Sequence, residues 1–168
     1  MFGALLERIW GSKKFMFFYF TTGIGAAIIQ QLVWTFTAEA DFALVDPANP
    51  TVPVIQGQEA INYALAHAPH LLHEYYNALV TVGASGAVFG ILLAFGMMFP
   101  NMPMYVMFIP IPIPAKYVMI GYGAIELFCG VFNFQGSVAH FAHLGGMLFG
   151  FIILMYWRHK GDFRNNGL

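Results

Sequence analysis

Four long apolar runs divide the chain: Phe15–Thr37, Leu79–Phe99, Tyr117–Phe134 and Ser137–Trp157. A helix that crosses a bilayer needs about 20 mostly apolar residues, and each run reaches or approaches that length. The apolar start, Met1–Ile9, is too short to cross. All nine prolines fall outside the four runs, where they cannot kink a helix interior. The pattern predicts an all-α, polytopic membrane helix bundle with four full transmembrane helices. Residues 38–78 read as an outward-facing loop insertion. It holds Pro47, Pro50 and Pro53, then a helical piece from about Gln58, interrupted near Pro69. The stretch FIPIPIPAKY, Phe108–Tyr117, reads as an extended connector, because alternate prolines force a polyproline-like path.

Composition strengthens the membrane reading. Only 9% of the 168 residues are charged and 59% are hydrophobic, with mean hydropathy +0.67, whereas soluble domains carry about 25% charged residues. Net charge is −1 and gives no footing for nucleic acid. The single Cys129 excludes an internal disulfide. Lys and Arg collect on the cytoplasmic side of membrane proteins. Here Arg8, Lys13 and Lys14 precede the first run, Lys116 lies between the second and third, and Arg158, Lys160 and Arg164 follow the fourth. Segments 38–78 and 135–136 have none. The runs therefore alternate outward and inward, with a cytoplasmic C-terminus. Phe15–Thr37 exceeds the ~7–15-residue apolar region of a signal peptide and reads as a retained helix.

Polar groups inside such runs carry the chemistry. GASGAVFG, Gly83–Gly90, contains one of the chain's three serines. Counted from Leu79, Ser85 is six residues into its helix, roughly 9 Å deep. His143, counted from Ser137, lies six residues into its own. Both helices run inward, so a hydroxyl and an imidazole share a level. An imidazole is the usual base that activates a serine for attack on a carbonyl. Gly86 and Gly90 are four apart, as are Gly146 and Gly150, and small residues at this spacing let membrane helices approach closely. The blander reading makes all of this a packing face. Glu126, the charge of the third run, falls at about the same depth and could orient His143, although a structural Glu, protonated or hydrogen-bonded, is the simpler role. His140 lies one turn from His143 but outside its glycine register. His67, His70 and His73 recur every three residues; a metal site needs more ligands in defined geometry, and no metal or cofactor is expected.

With these motifs in place, a family resemblance emerges. GASGAVFG resembles the Gly-x-Ser-Gly motif of rhomboid intramembrane serine proteases. AHFAHLGGMLFG is similar to their His-x-x-Gly-x-x-x-Gly helix, and ERIWGSKKF to a Glu-Arg-x-x-Gly-Ser turn after their second helix. The resemblance implies a Ser-His dyad that cleaves transmembrane protein substrates in the lipid bilayer, with Ser85 as nucleophile and His143 as base. It also implies active-site support from Gly83, Gly86 and Phe89, the last matching an aromatic that packs on the histidine ring. The backbone N–H of Ser85 would form part of the oxyanion hole. The dyad needs no acid.

On this alignment the family's first helix and most of its second would precede Met1, together with a His-x-x-x-Asn pair that stabilises the oxyanion. Residues 1–157 would then be a membrane domain lacking those helices, 158–168 a basic cytoplasmic tail, and cleavage by this chain weak or absent. The expected location is a bacterial inner (plasma) membrane. The alternatives are a non-catalytic rhomboid-like protein that binds or escorts membrane clients, and an unrelated transporter. Retention of both Ser85 and His143 argues against the first. Polar groups clustered near one membrane face argue against the second.

Overall fold

A computed structural model of the chain describes residues 2–46, 49–79, 84–106, 111–132 and 140–161. In order, its elements are α1 (Phe2–Trp10), α2 (Ser12–Asp41), β1 (Ala43–Asp46), β2 (Asn49–Gln56), α3 (Gly57–His67), α4 (Pro69–Ala78), α5 (Ser85–Met98), β3 (Pro103–Met104), β4 (Ile113–Pro114), α6 (Ala115–Val131) and α7 (His140–His159). They form two compact units, residues 1–30 with 83–168, and residues 31–82.

The first unit is a helix bundle. Its opening turn is set by Gly11, whose φ of 79° suits a residue without Cβ at the end of a helix. The Gly11 N–H donates to Glu7 O at 2.8 Å, and the Ser12 hydroxyl donates to Glu7 Oε1 at 2.7 Å. These bonds fasten α1 to the start of α2. Leu6, Trp10, Phe18, Phe95, Leu154 and Trp157 are buried together. Trp10 meets Trp157 edge-on, with ring centroids 5.2 Å apart. Outside this core, Phe17, Phe20, Ile24 and Ile28 on α2 and Phe151 and Ile152 on α7 are exposed. So much exposed apolar surface is ordinary where lipid is the solvent and a liability in water.

Among the described residues two helices, α2 and α7, are long and apolar enough to cross a membrane. The expected four full-length spans are thus met in part, since α5 has 14 residues and α6 has 17. The second run is shorter than hydropathy suggests because Leu79 belongs to the helix before it. There it is the C-cap of α4, its N–H donating to Tyr76 O at 3.3 Å. Helix α6 starts two residues earlier than expected, immediately after Pro114, whose φ of −56° and ψ of 135° are polyproline-like. Of the expected extended connector, residues 108–110 lie outside the described residues, while Ile113–Pro114 is a strand that pairs antiparallel, Pro103 with Pro114 and Met104 with Ile113. The expected start of the last helix, Ser137, and the end of the third, Phe134, lie outside the described residues.

The second unit takes in the segment expected as a loop insertion. Strands β1 and β2 form an antiparallel hairpin with irregular register at Val45. Phe42, Ala60, Ile61 and Ala64 make a small core with it. Pro69 opens α4 at a first-turn position, where its missing N–H costs nothing, so the break falls where the sequence places it. The Tyr75 hydroxyl donates to Ala38 O at 2.9 Å. Burial, followed by the charges of Asp41 and Tyr76, pushes its phenol above the ordinary tyrosine value.

Candidate active site

The site is built on the crossing of α5 and α7, and glycine makes that crossing possible. A Cβ on Gly146 would run into the main chain of Gly86. A Cβ on Gly86 would meet the Ala26 side chain and stand 3.0 Å from Ala142 O. On Gly90 it would lie 2.8 Å from Thr22 Cβ and 3.0 Å from Gly146 O. On Gly150 it would lie 3.1 Å from Phe18 Cζ and 3.4 Å from the Gly90 backbone. The two helices therefore touch backbone to backbone along the registers read from the sequence. Thr22, fully buried beside them, satisfies its hydroxyl by donating to Phe18 O at 2.8 Å, the usual recourse of a threonine inside a helix.

Ser85 is the first residue of α5 and is exposed. The first hydrogen bond of the helix runs from Val88 N–H to Ala84 O at 2.9 Å. The N–H groups of Ser85, Gly86 and Ala87 precede it, at a helix end whose donors have no acceptor within the helix. The depth reckoning is corrected here: Ser85 heads its helix rather than lying six residues inside it. The packing of α7 on α5 sets where His143 lies along that helix. His143 is buried, 9% exposed. Its imidazole stacks on the Phe89 ring with centroids 4.2 Å apart and planes 8° from parallel. Phe89 is one turn beyond Ser85 on the same face of α5, so the imidazole lies against the face that Ser85 heads. Among the described residues no hydrogen bond joins the Ser85 hydroxyl to the imidazole. Gly83 lies outside the described residues.

A third group adjoins the histidine. Glu126, on α6, has its Oε2 2.7 Å from His140 Nδ1 and 3.0 Å from His143 Nδ1. The first contact is a hydrogen bond. The second lacks the required direction, and His143 Nδ1 stays buried with no hydrogen-bond partner among the described residues. The side chains are 8%, 11% and 12% exposed for His140, His143 and Glu126. Their ligand-capable atoms all lie within 4.8 Å of one another, close enough to hold a metal ion. The 2.7 Å separation is that of a hydrogen bond. Two donors on one tetrahedral zinc ion, with bonds of about 2.0–2.1 Å, would stand farther apart. His67, His70 and His73 are exposed, and the His67 ring stacks on Tyr63 at 4.5 Å.

Sequence reasoning missed Gln30. Buried at 5% exposure, its Oε1 accepts the Ala142 N–H at 3.1 Å. It thus satisfies a first-turn donor of α7 from another helix, next to His143. The available signal was a glutamine inside an apolar run, where a polar side chain needs a partner. Gln30→Leu is expected to cost about 1 kcal/mol, the usual scale of a lost cap. Thermal denaturation in detergent measures it, and the exposed Gln31→Leu serves as the control that stays unchanged. An apolar cavity of about 250 Å³ lies among Phe2, Leu5, Phe95 and Met104. Ten residues along α5, or roughly 15 Å, separate Phe95 from Ser85, so the cavity is not part of this site.

A family model, the Rhomboid domain, matches residues 1–160. Comparison with curated proteins and with solved structures returns no match. Rhomboid proteins are integral membrane proteins, most of them intramembrane serine proteases. The match takes in the Glu7–Ser12 turn, the glycine crossing and both Ser85 and His143, and on that extent the chain belongs to the rhomboid family.

Proposed function

We propose that the protein is an intramembrane serine endopeptidase that hydrolyses peptide bonds of transmembrane protein substrates through Ser85 and His143. The observation that carries this reading is the Phe89–His143 stack, which lays a buried imidazole along the face of α5 headed by an exposed serine. In the reaction the Ser85 hydroxyl attacks the scissile carbonyl carbon. Its proton passes to His143 as the Oγ–C bond forms and the carbonyl electron pair moves onto oxygen. The oxyanion falls near the N-terminal end of α5, whose partial positive charge and first-turn N–H groups at Ser85 and Gly86 stabilise it. His143 then returns the proton to the leaving amine as the C–N bond breaks, and water releases the acyl group by the same steps.

In this reading α5 and α6 complete the crossings begun by α2 and α7. At about 1.5 Å per residue they are shorter than the ~30 Å hydrocarbon core. The Lys and Arg distribution supports a cytoplasmic C-terminus, in what this reading takes to be a bacterial inner membrane.

A serine-directed fluorophosphonate probe tests the dyad without needing a natural substrate. Labelling should map to Ser85 by mass spectrometry and should be lost in His143→Ala. If the probe fails to label Ser85, the dyad reading is wrong and a client-binding protein without proteolysis becomes the better account.

A further inference from the structure

The dyad implied by the family resemblance needs no acid, yet α6 brings a carboxylate to the far nitrogen of the base. We propose that Glu126 is a positioning residue for His143: its Oε2 accepts the Nδ1–H, which fixes the tautomer that leaves Nε2 free to take the Ser85 proton. This inference rests on the peptidase reading above. A neutral imidazole donates from one nitrogen and accepts at the other, so a base for serine must carry its resting proton on the nitrogen turned away from serine. Nδ1 is that nitrogen, since it is the one beside Glu126.

Three features hold the arrangement ready. The His140 Nδ1–H donates to the same oxygen at 2.7 Å, which stops the carboxylate from turning away. The Phe89 ring lies flat on His143, so the imidazole can swing only within its own plane. At 3.0 Å the oxygen is within hydrogen-bond distance of Nδ1, and catalytic hydrogen bonds commonly tighten only with substrate bound. The carboxylate is 12% exposed, so its attraction for the imidazolium formed during attack is weakly screened. The serine proton stays on His143 until the leaving group takes it. With the His143 N–H turned to it beside that of His140, the buried carboxylate is a satisfied group, as a buried charge must be.

The test compares the parent with Glu126→Gln and Glu126→Asp in detergent. It reads the rate of fluorophosphonate labelling at Ser85, the thermal stability of each variant, and the imidazole tautomer of His143 by ¹⁵N NMR, assigned with His143→Gln. Glu126→Gln should slow labelling by about 10²–10⁴-fold, the upper end being the cost of the wrong tautomer in a soluble triad. Glu126→Asp should recover a large part of that loss. The parent should show His143 protonated at Nδ1, and Glu126→Gln a mixture. Equal labelling rates in parent and Glu126→Gln overturn the proposal while leaving the dyad intact. A parent that carries its proton at Nε2 overturns it too, whether or not the Gln variant folds. If a chelator alone slows the parent to the level of Glu126→Gln, the cluster serves a metal ion and the proposal is wrong. A parent that never labels removes the peptidase reading, and this inference falls with it.

Discussion

In the complete protein, Ser85→Ala and His143→Ala are each expected to reduce cleavage of a membrane-anchored substrate in liposomes by at least about 10⁴-fold. Nucleophile and base act as one unit, so losing either forfeits nearly the whole covalent route. The double variant should therefore be no slower than either single one. That non-additivity separates a dyad from two residues that merely support the fold, because independent structural losses add. Ser85→Ala should keep the parent's melting temperature, since the Ser85 side chain is exposed, whereas His143→Ala empties a buried site stacked on Phe89 and should melt lower. Undiminished turnover by Ser85→Ala would remove the mechanism altogether.

The second large effect falls on the crossing itself, and the structure ranks the glycines unequally. A methyl group on Gly146 would overlap the Gly86 main chain, which has nowhere to go without parting the helices. A methyl group on Gly150 would meet the Phe18 ring at 3.1 Å and the Gly90 backbone at 3.4 Å, contacts that a small shift of the ring can relieve. Gly146→Ala should thus cost about 3 kcal/mol, the upper end of the range for overpacking, and Gly150→Ala about 1 kcal/mol. Gly146→Leu should leave no folded protein in detergent. Melting temperatures measure the order. If Gly146→Ala and Gly150→Ala melt together with the parent, the backbone contact between α5 and α7 does not exist as described.

Much of this site was legible because its determinants are local and periodic. Four-residue glycine spacing states which helix faces meet, and Phe89, one turn from Ser85, falls on the same face by the helix period alone. Where the helices begin was less legible. Hydropathy measures the length of an apolar run, and Leu79 is as apolar in the cap of α4 as it would be inside α5. The hairpin at 43–56 was missed because Pro50 and Pro53 interrupt any strand alternation. Its irregular register breaks the pattern further. Gln30 and Glu126 are visible as polar residues in apolar runs, but their partners lie 112 and 14 residues away in sequence. Depth alone suggested His143 as a neighbour of Glu126, while nothing in the order of the chain pointed to His140 or to the Ala142 N–H that Gln30 meets.

The contact between Gly86 and Gly146 also bears on how such a protein can change over generations. A side-chain contact can be exchanged for another of similar volume, so bundles drift by compensating swaps. A contact made of main chain offers nothing to exchange. Every single-base change that alters a glycine codon's meaning either adds a Cβ or ends the chain, and at Gly146 any Cβ meets the opposite backbone. The lipid-facing positions of α2 and α7 are free to wander among apolar residues, while the spacing between serine and histidine is held where mutation has no neutral step to take.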